Sequence, residues 1–197
     1  MLFRIRSTVK QECMLTQIFR WSLFAVLFAV IPFSGFSQEK VKWLTFKEAV
    51  AKQSTEQRKI IVDIYTKWCK WCKEMDESTF NQTDIAHYIN ENFLAVKFDA
   101  EQQEPIVFND KTYQFVKYGK TGYHELAVEL TGGRLSFPTL VFLDENMEVI
   151  QAIRGFQTVS RFGQIITYFA QDKYKTTPWA KYTESFNPSI HFAKQQH

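Results

Sequence analysis

The chain of 197 residues has room for one domain with extensions, because most domains contain about 100–150 residues. Its formal net charge is +3, with 24 basic and 21 acidic residues. Four of the basic residues and one of the acidic residues precede position 38, so the rest of the chain is nearly neutral. This balance gives no support to a nucleic acid or an anionic surface as the partner.

The N-terminal residues 1–37 have the pattern of a secretory signal peptide. Basic residues precede the uncharged apolar run WSLFAVLFAVIPFSGFS, which ends in small residues. The apolar centre is shorter than the ~20 residues of a membrane-spanning helix, and we expect cleavage after Ser37. The protein is therefore expected to be periplasmic or otherwise exported. An uncleaved leader that tethers it to the membrane is the alternative.

The first predicted elements after the leader are a helix, a strand and a second helix. Thr45 and Glu48 form a capping box that starts a helix ending near Gln57. The β-branched run KIIVDIY, Lys59 to Tyr65, is typical of a buried strand. It leads into Cys69 and a helix that extends through about Ser78, so the sequence predicts a strand, a turn and a helix with Cys69 at the helix start.

The remaining predicted elements alternate in type along the chain. They are a helix over 83–92, a buried strand over 93–100, a surface hairpin around Asn109 to Lys111, a short helix over 125–130, two strands around a turn at 144–146, and a helix over 158–170 with Phe162, Ile165, Ile166 and Phe169 on one face. This order predicts an α/β domain with two parallel crossover units followed by an antiparallel pair. The tail from Gln171 carries too many large rings for a free linker, so we expect it to pack on the domain or on a partner.

Cys69 and Cys72 are the only cysteines left once Cys13 departs with the leader. A disulfide between them closes so small a loop that it stabilises the fold little. At a helix start, the free amides and the helix dipole favour the Cys69 thiolate. That thiolate can attack a disulfide in another protein, and Cys72 can then displace the product. Trp68 shields one side of the pair.

Other interpretations of the cysteine pair remain open. A tetrahedral zinc site needs four ligands, and the sequence offers neither a second cysteine pair nor paired histidines, so we expect no metal. A purely structural or inert pair is the second alternative.

Three segments, KIIVDIYTKWCKWCKEMDESTF, VKFDAE and SFPTLVFLDENMEVIQAIRGF, resemble the thioredoxin family in their order and content. The nearest variant is the C-terminal periplasmic thioredoxin domain of DsbD-type thiol:disulfide interchange proteins. The resemblance covers roughly Trp43 to Ala170. It implies a thioredoxin fold, three α/β/α layers around a mixed sheet, over residues 38–170. A hairpin is inserted at about 104–117, and residues 171–197 form a C-terminal extension.

The resemblance also implies roles for individual residues. Asp63 matches the buried acid that takes and returns the proton of the second cysteine, and Lys97 matches a lysine beside that acid. Pro138 matches a proline held in the cis form, whose loop pairs with an extended substrate, and Phe137 would flank that substrate. The alternatives are a hydrogen-bonded strand-end aspartate, a solvated lysine and a gap-filling phenylalanine.

The sequence constrains the direction of electron flow less than it constrains the fold. The nearest resemblance is to a domain that passes electrons to other envelope proteins. It implies a reductase with no cofactor, a membrane electron donor of the DsbD kind and disulfide-containing envelope proteins as acceptors. Two departures from the family favour an oxidase or isomerase. Lys70-Trp71 stands between the cysteines where cytosolic thioredoxins have Gly-Pro, and Lys67 stands where the DsbD-type domain commonly has an acid. The positive charge of these lysines stabilises the thiolate and so makes the pair more oxidising. A non-catalytic binding or chaperone module is a third hypothesis.

Overall fold

The computed structural model describes residues 38–188. The predicted leader and the last nine residues of the extension lie outside this part of the chain. The helices are α1 Phe46–Glu56, α2 Lys70–Met75, α3 Thr83–Asn92, α4 Glu125–Leu130, α5 Val159–Ala170 and α6 Trp179–Ser185, and a π-helical turn, Asp76–Phe80, prolongs α2. The strands are β1 Lys59–Tyr65, β2 Phe93–Asp99, β3 Ile106–Phe108, β4 Lys111–Tyr113, β5 Phe115–Tyr118, β6 Thr121–His124, β7 Thr139–Leu143 and β8 Val149–Arg154.

A mixed four-stranded sheet in the order β2-β1-β7-β8 forms the centre of the domain. β1 pairs parallel with β2 and antiparallel with β7, which in turn pairs antiparallel with β8. The core forms two clusters, with Ile61 in one and its neighbours Ile60 and Val62 in the other. Successive residues of a strand point to opposite faces, so both faces of β1 are covered by apolar side chains. This is the predicted three-layer fold.

The predicted topology is wrong in one respect, because the chain has only one crossover between paired parallel strands among the described residues. It joins β1 to β2 through α2 and α3, and a second parallel contact is the single bridge of Leu44 to Val96. The helix before β7 is α4, whose six residues rise about 9 Å, whereas a seven-residue strand such as β2 spans about 23 Å. α4 by itself does not return the chain along β2, and β7 enters beside the carboxyl end of β1, with Thr139 opposite Ile64.

Several helices begin and end where the sequence predicts. The Thr45 hydroxyl accepts the Glu48 amide at 3.2 Å, and the Glu48 carboxylate accepts the Thr45 amide at 2.7 Å, which confirms the capping box. α3 and α4 have the predicted bounds. Along α5, Phe162, Ile165, Ile166 and Phe169 are all buried, as predicted.

The interval between β2 and α4 contains two hairpins rather than one. β3 and β4 form the predicted hairpin, whose turn residues Asn109 and Asp110 have φ of 48° and 58°. β5 and β6 form a second hairpin, which the sequence analysis does not predict. In it, a Cβ on Gly122 would lie 2.8 Å from the backbone carbonyl oxygen of Val116, so the close approach of that strand requires glycine.

The described part of the C-terminal extension packs on the domain. Tyr182 in α6 is 5% exposed, and its hydroxyl is 2.6 Å from that of Thr167 in α5. Trp179 packs edge-on against Tyr168 with ring centroids 5.0 Å apart. Between residues 38 and 188 the helices are all too short or too polar to span a bilayer.

Candidate active site at the Cys69–Cys72 pair

The two cysteines lie where β1 delivers the chain to α2. Cys69 is the N-cap of α2, and its sulfur accepts the amide of Cys72 at 3.1 Å. The sulfurs are joined in a disulfide, with the two Cα atoms 5.3 Å apart. Cys69 is 5% exposed and Cys72 2% exposed. The pair thus stands at a helix start, in its oxidised form, with both cysteines buried and Cys69 the slightly more exposed residue.

The loop before β7 brings Phe137 and Pro138 to the same end of the sheet. The antiparallel register sets Thr139 opposite Ile64, so Pro138 is next to the carboxyl end of β1. The peptide bond between Phe137 and Pro138 is cis, and the Pro138 carbonyl accepts the amide of Gly155 at 2.8 Å.

Both tryptophans of the cysteine segment pack against a second aromatic ring. Trp68 meets Phe137 edge-on with ring centroids 5.8 Å apart, and its indole N–H donates to Glu101 at 2.9 Å. Trp71, which precedes Cys72, packs against Phe156 with ring centroids 5.6 Å apart. The Trp68 side therefore joins the cysteine loop directly to the loop of Pro138.

Asp63 lies in the middle of β1 and is 1% exposed. Burial raises the pKa of its carboxyl above the ordinary value of 3.8, while attraction to Lys97 opposes that rise. One carboxylate oxygen accepts a hydrogen bond from Lys97 at 2.6 Å. The other, Oδ1, is buried without a hydrogen-bond partner among the described residues. A buried carboxyl of this kind can hold a proton at higher pH than an exposed one.

Lys97 connects two carboxylates, because its ammonium group donates to Asp76 as well as to Asp63. Burial by itself would lower the pKa of Lys97, but attraction to Asp63 and hydrogen bonds to both acids outweigh it, so the pKa is raised. Lys97 also lines a groove of about 440 Å³ between α1, the end of β2 and β3. The lysine is thus a paired cation with access to solvent rather than a freely solvated side chain.

Sequence reasoning assigned no functional role to three residues near this site, Asp76, Glu101 and Tyr123. Asp76, which shares Lys97 with Asp63, lies four residues after Cys72, one helical turn away, and that spacing was a usable signal. Glu101 holds the Trp68 indole across 33 residues of sequence, which no local pattern reveals. Tyr123 of β6 contacts Phe137 with ring centroids 5.8 Å apart and so links the second hairpin to the loop of Pro138.

Between residues 38 and 188, no three His, Cys, Asp or Glu side chains are grouped so that they could hold an ion. The sheet topology, the cysteine pair at a helix start and the adjacent loop of Pro138 define a thioredoxin-fold protein with a site of the thiol–disulfide oxidoreductase type. The chain belongs to the Thioredox_DsbH family, described as a protein of unknown function, DUF255, whose model matches residues 33–176.

Curated relatives match over part of the chain. Spermatogenesis-associated protein 20 of Rattus norvegicus is 33% identical over 84 residues, which are 42% of this chain and 10% of the rat protein. The uncharacterized protein B0495.5 of Caenorhabditis elegans is 27% identical over 104 residues, 53% of this chain and 12% of that protein. The matched region thus spans about a tenth of the length of these relatives.

Solved structures with similar folds include three redox proteins. A DsbH oxidoreductase is 16% identical with a TM-score of 0.49, over 73% of this chain and 92% of its own. A thioredoxin from Thermus thermophilus is 14% identical with a TM-score of 0.49, over 82% and 98%. A putative disulphide-isomerase from Bacteroides thetaiotaomicron is 20% identical with a TM-score of 0.47, over 77% and 99%.

Proposed function

We propose that the protein is an exported thiol:disulfide oxidoreductase that reduces disulfides of other envelope proteins. The observation that carries the proposal is the Cys69–Cys72 disulfide at the start of α2, next to the loop of Pro138 and beside a β1 strand that holds the buried Asp63. A purely structural role is disfavoured, because a disulfide that closes so short a loop adds little to the free energy of unfolding.

The exchange proceeds in two balanced steps. In the reduced protein, the Cys69 thiolate attacks one sulfur of a partner disulfide, forming a mixed disulfide and releasing the other partner sulfur as a thiolate, which takes up a proton. Cys72 then gives up its proton and attacks Cys69, which reforms the Cys69–Cys72 disulfide and releases the second partner thiol. The partner gains two electrons from the protein and two protons, one that Cys72 releases and one from solvent, to which Cys69 lost its own proton when the thiolate formed.

Asp63 is the proposed proton carrier for Cys72. Its buried carboxyl has a raised pKa, and the neighbouring Lys97 lines a groove that opens to solvent. A proton taken from Cys72 can therefore be exchanged with solvent near this pair, as general acid–base catalysis requires. Phe137 and Trp68 are the proposed substrate contacts, and Pro138 shapes the loop along which an extended segment pairs.

A reductase needs a supply of electrons in an oxidising compartment. We infer a membrane electron donor of the DsbD kind as the partner that reduces Cys69–Cys72 again, with disulfide-containing envelope proteins as acceptors and no cofactor. Export through the leader, residues 1–37, belongs to this proposal. Fractionation of cells that produce the protein, with N-terminal sequencing of the mature form, tests it; a cytoplasmic protein with an intact leader would overturn the envelope assignment.

Trapping with Cys72→Ser tests the chemistry. This variant should accumulate mixed disulfides between Cys69 and its partners, which appear on non-reducing gels, disappear when a reductant is added, and are identified by mass spectrometry. Cys69→Ser serves as the matched control, because it keeps a single thiol at the less exposed position and should trap none. If neither variant forms mixed disulfides and the Cys69→Ser protein functions normally in cells, a non-catalytic binding or chaperone module replaces the oxidoreductase.

An oxidase or isomerase is the second candidate, and the lysines beside the pair favour it. Lys67 is 83% exposed at the side chain and Lys70 is exposed, so both can stabilise a Cys69 thiolate. Equilibration of Cys69–Cys72 with glutathione buffers measures the reduction potential. A value close to about −120 mV, that of the strongest periplasmic oxidants, would reverse the proposed direction.

A further inference from the structure

Two exposed tryptophans, Trp68 and Trp71, precede the two cysteines in sequence. Trp68 is 61% exposed and Trp71 60% exposed, whereas Cys69 between them is 5% exposed. Large apolar side chains this exposed, at the entrance to a reactive group, mark a contact surface. We call the exposed residues around Cys69, from Lys67 to Trp71, the rim. A partner cysteine that reaches the Cys69 sulfur must therefore place its neighbouring residues against this rim.

The rim carries positive charge close to Cys69. Lys67 and Lys70, two residues before and one residue after Cys69, are both exposed. Lys67 is 3.4 Å from a carboxylate oxygen of Asp99, yet its side chain remains 83% exposed and can meet an incoming group.

Two acids lie close to these lysines. Asp99 pairs with Lys67, and the Glu101 carboxylate accepts the Trp68 indole N–H, which carries no charge, so the negative charge of Glu101 remains. Lys70 has no ion pair among the described residues, and it directly follows Cys69. The exposed acids of the same helical segment, Glu74 and Glu77, follow Cys69 by five and eight residues, or about 7 to 12 Å along the helix axis. A segment docked at Cys69 therefore meets Lys70 as its nearest cation, with the exposed ammonium group of Lys67 beside it.

We propose that the protein prefers partner disulfides whose cysteines have acidic neighbours in sequence. This inference rests on the proposed exchange and names the class of substrate for it. An extended segment along the loop of Pro138 would place the side chains next to its cysteine over the rim, where Lys67 and Lys70 attract carboxylates and repel ammonium groups.

The test uses three disulfide-linked peptide dimers that differ only in the residues on both sides of the cysteine: Asp, Asn or Lys. The reduced protein is mixed with each dimer, and peptide thiol release is followed by chromatography. Flanking charge also changes the intrinsic reactivity of a peptide disulfide, so each rate is divided by the rate of the same dimer with neutral dithiothreitol. The normalised Asp-to-Lys ratio then reports recognition by the protein.

We expect a normalised ratio of about three to ten at low salt, from two exposed charge contacts, which falls toward one at about 1 M salt. Lys67→Glu/Lys70→Glu should invert the ratio. Because the ratio compares two substrates of the same variant, a change in Cys69 reactivity cancels. Lys173→Glu/Lys181→Glu is the matched control, since it reverses two exposed lysines of the C-terminal segment and should leave the ratio unchanged.

The outcomes separate the two proposals. Reduction of all three dimers at equal normalised rates keeps the oxidoreductase and overturns the acidic preference. Faster reduction of the Lys dimer, as cation–π contacts with the exposed indoles would produce, also overturns it. No reduction of any dimer by the protein, with dithiothreitol reducing all three, would instead remove the exchange function on which the inference depends.

Discussion

Lys97 donates a hydrogen bond of 2.6 Å to Asp63, a carboxylate that is 1% exposed and whose second oxygen has no hydrogen-bond partner among the described residues. The single cation offsets part of the cost of burying this acid, since attraction to Lys97 opposes the rise of the Asp63 pKa that burial causes. A buried acid with a perturbed pKa is a candidate for the proton transfer proposed above.

Asp63→Asn should stabilise the oxidised protein at neutral pH. The folded-state pKa of Asp63 is raised, so its contribution to stability is fully present below the ordinary value of 3.8 and is lost as pH rises through the folded-state pKa. Asparagine does not titrate. The free energy of unfolding of the variant, measured with urea at pH 4 to 8, should therefore exceed that of the wild type by an amount that grows with pH.

Asp110→Asn is the control for this series, because it removes an exposed acid at the tip of the first hairpin. Its stability relative to the wild type should change little over the same pH range. A gain for Asp63→Asn that stays constant with pH would contradict a raised pKa of Asp63.

Lys97→Met should raise the pKa of Asp63 further, because it deletes the positive charge that favours the carboxylate. The pH at which Asp63 loses its proton, followed by carbon NMR of the labelled carboxyl group, should move upward relative to the wild type. Lys47→Met removes an exposed lysine of α1 and should leave that pH unchanged. An unchanged or lowered titration of Asp63 in Lys97→Met would show that the ion pair does not control the acid.

Most of the central sheet was predictable from the sequence, because its signals are local. The run KIIVDIY marks β1 as a strand buried on both faces, and the capping box marks the start of α1. The cysteine spacing together with the preceding strand also places Cys69 at the start of α2. Each of these inferences depends on residues within about ten positions of one another.

The features that could not be predicted depend on contacts between distant segments. The direction of β7 follows from how the chain re-enters the sheet after a short α4, which no pattern within TLVFL encodes. The second hairpin has strands of four residues, two of them exposed in β5, so its hydrophobic pattern is too weak to stand out. The pairing of Trp68 with Glu101 joins positions 33 apart.

Tyr182→Ala should lower the free energy of unfolding by about 3–5 kcal/mol, because it empties a buried aromatic site between α5 and α6. Tyr182→Phe keeps the ring and removes the 2.6 Å hydrogen bond to Thr167, whose hydroxyl still donates to the Gly163 carbonyl, so a loss of about 1 kcal/mol is expected. Urea unfolding measures both variants. Lys181→Ala, an exposed neighbour, should change stability by less than about 0.5 kcal/mol.

A Tyr182→Ala protein as stable as the wild type would contradict a structural role for the C-terminal segment. In that case, the rings of Trp179 and Tyr182 would not be what holds the C-terminal segment on the domain. The packing geometry favours a loss of stability in Tyr182→Ala, since the ring centroid of Tyr182 lies 4.9 Å from that of Tyr168 and 5.9 Å from that of Trp179.

Trp68→Ala should change two rates in opposite directions. Loss of the indole uncovers Cys69, so a small thiol such as dithiothreitol should reduce the disulfide about two- to threefold faster, as expected for a more accessible sulfur. A protein substrate loses the contact surface that Trp68 and Phe137 share, and its exchange rate should fall by about tenfold, or roughly 1.4 kcal/mol of lost contact. Stopped-flow measurement of tryptophan fluorescence, which Trp71 still supplies, follows both reactions.

Two matched variants identify which property of Trp68 is responsible. Trp68→Phe keeps a ring against Phe137 and removes the indole N–H that Glu101 accepts at 2.9 Å, so both rates should lie between those of the wild type and the alanine variant. Glu101→Gln keeps an acceptor for the indole and should resemble the wild type. If Trp68→Ala slowed both reactions equally, the ring would act on the reactivity of Cys69 itself rather than on access and partner contact, because only a change in the thiol–disulfide chemistry affects small and large substrates alike.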